Sequence, residues 1–188
     1  MSRADAAQLD VIVLCEDARQ ERFASRLLVR KGVHRRRITV VRPPDAKGSA
    51  EAWVRAQFVE QVRKLRSKRH RAGLRLLVLT DGDALGHEAR KRTLDDALAQ
   101  AGMARRDAEE PMALTIPTWS IESWLWWLVE GGAIDEAKSL KQTFEREHAR
   151  DGKTESEAID RAVEAWPGAD DGRPASLADA VGELRVIG

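Results

Sequence analysis

The 188-residue chain has no tyrosine, one cysteine and no long apolar run, and each shortage excludes a class of mechanism. Without tyrosine there is no tyrosyl nucleophile. The lone Cys15 excludes an intramolecular disulfide and a cysteine-based zinc cluster, and it fits a reducing cytoplasm. Unbroken apolar stretches such as Val11 to Cys15 and Leu76 to Leu79 fall far short of a membrane span. Asp5 and Asp10 precede the first of them, so the amino terminus does not read as a signal peptide. What remains, 43% apolar and 34% charged residues, is the composition of one folded domain with a sizeable core.

The net charge of +1 conceals a strong asymmetry. From Arg19 to Arg71 there are 17 Lys/Arg against four Asp/Glu, a local excess of 13, whereas the chain from Ala72 onward is acidic. A basic block of this size on a folded segment points to a polyanionic partner. Nucleic acid comes before a membrane, because no amphipathic anchor accompanies it.

The apolar pattern alternates strands with helices. Leu9 to Cys15, Ile38 to Val41, Leu74 to Leu79 and Met112 to Ile116 read as buried strands. Helices are predicted after each, with Gly32 and Gly102 as stops, Ser49 capping a helix to about Arg69, and Ser120 capping one that carries Ile121, Trp124, Leu125 and Leu128. This order predicts an α/β fold, a sheet of about four parallel strands sandwiched by helices. Residues 1–130 form the α/β part. Residues 131–188 read as a helical extension packed on it, with helices over Ile134 to Arg150, Ser156 to Trp166 and a last one capped by Ser176.

In such sheets ligands bind at the carboxyl ends of the strands, and that is where the acids fall. Glu16 follows the first strand, Asp81 and Asp83 end the third, and Glu122 opens the helix after the fourth. Asp81 and Asp83 are two apart, so an extended backbone would aim both the same way, while Gly82 permits a sharp turn or a close approach by a ligand. Each acid alone has an ordinary role in a turn or a first helical turn. Together they would repel unless a cation sits among them, and hard divalent ions take oxygen ligands of this kind.

The pattern Val13-Leu14-Cys15-Glu16, then Glu21-Arg22-Phe23, then Leu79-Thr80-Asp81-Gly82-Asp83, resembles the Toprim domain of topoisomerases, primases and several nucleases. With Ile116-Pro117-Thr118-Trp119-Ser120-Ile121-Glu122-Ser123-Trp124-Leu125 added, it is most similar to small Toprim-like proteins of bacterial defence and mobile-element loci. The overcoming-lysogeny-defect nucleases resemble it more distantly. The resemblance spans roughly residues 9–130 and implies a Rossmann-like Toprim sheet binding Mg²⁺ or Mn²⁺. It implies Glu16 as metal ligand or general base, Asp81 and Asp83 as metal ligands, Glu122 as a further acidic site residue, and Glu21 as a second acid on the first helix. It also implies a partner ATPase. Asp17 departs from the family, which often has glycine there.

The function expected from these features is metal-dependent hydrolysis of DNA or RNA in a bacterial antiphage defence system. The absent tyrosine excludes topoisomerase-style transesterification. Lys47, Lys91 and Arg92 are candidates to hold the scissile phosphate, Arg35, Arg36 and Arg37 to grip the backbone, and His87 to touch metal or phosphate. Among the tryptophans, Trp124 sits on a core face, whereas Trp126 and Trp127 cannot both do so; base stacking is the functional reading of Trp119 and its neighbours. The alternative is a non-catalytic subunit, binding nucleic acid or an ATPase through the basic half and the tryptophans. A third reading uses Asp81 and Asp83 to hold a metal–nucleotide, as glycosyltransferases do. A cytoplasmic location without membrane contact is expected, and a homo-oligomer is left open.

Overall fold

A computed structural model describes residues 8–44, 50–70 and 72–187; Lys47 and Ser49 lie outside them. Four parallel strands form one sheet: β1 (Asp10–Cys15), β2 (Ile38–Val41), β3 (Leu74–Leu79) and β4 (Met112–Thr115), in the order β2-β1-β3-β4. The helices are α1 (Ala18–Arg30), α2 (Ala50–Ser67), α3 (His87–Gln100), α4 (Ile121–Glu130), α5 (Lys141–His148), α6 (Gly152–Ala165) and α7 (Ala175–Glu183). Short 3₁₀ turns cover Arg35–Arg37, Asp83–Leu85 and Leu184–Ile187. No helix among the described residues is long and apolar enough to cross a membrane.

The strands are largely apolar because both faces of the sheet are covered. Val11, Val13, Cys15, Leu77, Leu79 and Ala113 share one core with α1, α4, α6 and α7. Leu14, Leu76, Val78, Met112 and Leu114 pack with α2 and α3 on the other face. The helix after β1 therefore leaves toward one face and the helix after β3 toward the other. Neighbouring strands whose connections diverge in this way leave a crevice between their carboxyl ends.

Residues 131–187 are not set apart from the sheet. Phe144, Ile159, Trp166, Leu177 and Ile187 belong to the same core as Val11 and Phe23. Two ties reinforce the join: Lys91 on α3 pairs with Asp179 and Glu183 of α7 at 2.5 and 2.8 Å, and Glu183 also accepts from Leu114 N at 3.1 Å.

Two local expectations change. The predicted helix over Ile134 to Arg150 is confined to α5, because Glu136 instead accepts from Thr118 Oγ1 and from the amides of Ala175 and Ser176. The last helix opens two residues earlier than expected, with Pro174 rather than Ser176 as N-cap. Ser176 is buried inside it and accepts from Trp124 Nε1 at 2.9 Å. The tryptophans divide as their spacing requires: Trp124 and Trp127 are buried, and Trp126 is half-buried against His148.

Candidate active site

β1 and β3 deliver Glu16 and Asp81 to the crevice side by side. Glu16 Oε1 accepts from Asp81 N at 3.0 Å and from Thr80 Oγ1. Asp81 Oδ1 accepts from Gln20 Nε2 at 2.8 Å and from Ile121 N at 3.1 Å. The fully buried Gln20 links the pair, because its Oε1 takes the Glu16 amide at 2.9 Å. Among the described residues no hydrogen bond reaches Glu16 Oε2 or Asp81 Oδ2. Each acid is thus oriented through one oxygen and offers the other.

Burial and nearby negative charge make both carboxylates reluctant to ionise. Asp81 is held well above its usual range by burial, then by the charges of Glu16, Glu122 and Asp17, with the Ile121 amide opposing. Glu16 is also raised, chiefly by burial with Asp83 adding, against the Thr80 and Asp81 hydrogen bonds and Arg90. A proton or a cation would relieve this strain.

Asp83 does not share the orientation of Asp81. Gly82 is helical (φ −77°) and Asp83 left-handed (φ 49°), so the chain turns between them. The turn interlocks with the segment after β4, where Gly82 N donates to Pro117 O and Asp83 N to Trp119 O. A Cβ on Gly82 would lie 2.4 Å from Thr118 O, so this glycine admits the protein's own backbone rather than a ligand. The exposed Asp83 carboxylate pairs with Arg90 at 3.0 Å. Arg90 is 5% exposed; it also donates to Asp81 O at 2.9 Å and pairs with Glu51 at 2.8 Å.

Glu122 is 2% exposed and faces Arg19, which is shared with Glu155 at 2.6 Å and Glu145 at 3.6 Å. Among the described residues its Oε2 has no hydrogen-bond partner, and neither do the buried Ser120 Oγ and Ser123 Oγ. Glu122 therefore acts on Asp81 through space, from the first turn of α4. Asp17 caps α1 by accepting from Gln20 N at 2.8 Å, and Glu21 pairs with Arg42 at 2.9 Å.

The remaining predicted residues lie apart from this cluster in their contacts. Lys91 is held by Asp179 and Glu183. His87 approaches Thr118 Oγ1 at 3.4 Å and Glu88 at 3.3 Å. Arg92 is exposed on α3, and Arg35, Arg36 and Arg37 are exposed in the turn before β2. Sequence reasoning missed Gln20, Arg90 and Arg19. Gln20 had one legible signal, its place four residues after Glu16 in the first turn of a capped helix; a buried arginine such as Arg90 has none.

Among the described residues no three His, Cys, Asp or Glu side chains converge as an all-protein metal cage. The donor set still suits Mg²⁺ or Mn²⁺, since Mg²⁺ keeps several waters and is commonly bound through one or two carboxylates plus phosphate oxygens. Glu16 and Asp81 are such a pair. No protein-family model, curated protein or solved structure matches the chain.

Proposed function

We propose that the chain is a metal-dependent phosphodiesterase acting on DNA or RNA, with Glu16 and Asp81 at its centre. The observation that carries this reading is the pairing of these two acids at the switch-point crevice, each oriented through one oxygen and each with a raised pKa. Mg²⁺ or Mn²⁺ held there would offset the charge of a phosphodiester and lower the pKa of a bound water. Gln20 and the Ile121 amide fix the Asp81 carboxylate, and Thr80 and the Asp81 amide fix Glu16. Arg90 fixes the turn from Asp81 to Asp83 by gripping Asp81 O and the Asp83 carboxylate. Glu16 Oε2, to which no described residue donates, would serve either as a ligand to the cation or, with Asp81 holding the cation, as acceptor of a proton from the attacking water. A Toprim identity, a bacterial defence setting, a cytoplasmic location and an ATPase partner rest on the sequence resemblance.

A second reading, a non-catalytic binding subunit, draws support from the arginines that neutralise Asp83 and Glu122. One experiment separates the two. Purified protein is incubated with plasmid, single-stranded DNA and single-stranded RNA in Mg²⁺, in Mn²⁺ and in EDTA, beside Glu16→Gln and Asp81→Asn. The hydrolase reading expects metal-dependent cutting that falls by about 100-fold or more in each variant. Absence of cutting by the parent protein, or cutting that survives in both variants, rejects it.

A further inference from the structure

The basic excess between Arg19 and Arg71 does not surround the carboxylates. Much of it lies at the opposite, amino-terminal edge of the sheet. Ile38 and Arg75 both pair with Val11, so the entries to β2 and β3 lie level on either side of β1. Two strand spacings separate them, about 10 Å. Arg35 and Arg36 stand immediately before β2, and Lys64, Lys68 and Arg69 stand at the end of α2 and in the turn toward β3. All five are exposed, and no described carboxylate pairs with any of them. Their neighbours seat both segments: Arg37 pairs with Asp10 at 3.3 Å and Arg66 with Glu110 at 2.6 Å.

We propose that this amino-terminal edge is a docking surface for the phosphate backbone of a nucleic acid, separate from the carboxylate crevice. The length of β3, six residues, puts the two about 20 Å apart. Charges some 10 Å apart act together at moderate salt, and guanidinium groups suit phosphate oxygens through paired hydrogen bonds. Neither segment exposes a large apolar side chain, which disfavours a lipid surface or an apolar protein interface. The crevice, lined by carboxylates, repels phosphate until a cation neutralises it. The basic edge supplies attraction that needs no metal. This inference shares the nucleic-acid partner of the proposed function but not its chemistry.

The test is binding in EDTA, where no metal-dependent cutting intervenes. Labelled duplex DNA, single-stranded DNA and single-stranded RNA of equal length are titrated by fluorescence anisotropy across a salt series. Arg35→Glu/Arg36→Glu and Lys68→Glu/Arg69→Glu are each expected to weaken binding by about tenfold or more. Each should flatten the slope of log affinity against log salt by about one per side chain replaced. Asp81→Asn should bind at least as tightly as the parent protein, so failure here is distinguishable from failure of the hydrolase reading. Thermal unfolding checks that the variants fold, with the Gln substitutions as milder replacements. Unchanged affinity and slope in folded variants overturns the proposal, as does a parent protein that binds no nucleic acid at low salt. Equal binding of poly-glutamate overturns it too and points to an acidic protein partner.

Discussion

Asp81 carries a cost that the rest of the molecule tolerates. Its carboxyl group binds a proton more tightly in the fold than in the unfolded chain, so it reduces stability as pH climbs from the ordinary carboxylate range through its raised value. Glu16 adds to the same trend. Asp81→Asn keeps an oxygen for Gln20 Nε2 and the Ile121 amide while removing the charge. The variant should therefore melt above the parent protein at about pH 8, with the difference shrinking toward about pH 4. Melting curves across that range check it, and a variant less stable than its parent at high pH would show that Asp81 is not burdened. Glu16 and Asp81 were legible from strand ends alone. The parting of Asp83 from Asp81 was not, because it depends on Gly82 packing under the backbone at Pro117 and Thr118, a contact between distant stretches of chain.

Two helix starts show how elements serve the crevice. The amide of Ile121, at the start of α4, donates to Asp81, a residue 40 positions away, while Ser120 makes no side-chain cap. α1 is capped locally by Asp17, where the resembled family often has glycine. Its carboxylate is committed to Gln20 N, the residue that holds Asp81, so the departure reads as helix capping. Asp17→Ala should lower stability by about 1 kcal/mol, and Asp17→Gly by only a few tenths, both measured by urea denaturation. If either variant loses far more, Asp17 has a further role. The strands were legible because continuous β-branched and leucine runs are what a doubly covered parallel sheet requires. Residues 134–140 misled because their helical spacing is outweighed by the bonds Glu136 makes to Thr118, Ala175 and Ser176.

Across the whole molecule, the sheet and the C-terminal helices share one hydrophobic core. Removing residues 131–188 would strip Phe144, Ile159, Trp166, Leu177 and Ile187 from the core beside Phe23, Leu27 and Trp124. It would also leave Lys91 without Asp179 and Glu183. A fragment ending at residue 130 should show no cooperative unfolding transition and should bind the dye ANS. A sharp transition in that fragment would instead establish an autonomous α/β unit. The α/β class and the placement of Glu16 and Asp81 at the carboxyl ends were readable from the order of elements. The sharing of one core was not, since it depends on which face of α6 and α7 meets the sheet.

The hollow between β1 and β3 owes its existence to chain routing, one connection passing in front of the sheet and the next behind it. Its position in the fold is therefore set by the backbone rather than by the two carboxylates. Under the proposed hydrolase function, a variant bearing amides at both Glu16 and Asp81 would be an inert cast of the same vessel, suited to trapping an uncut nucleic-acid strand.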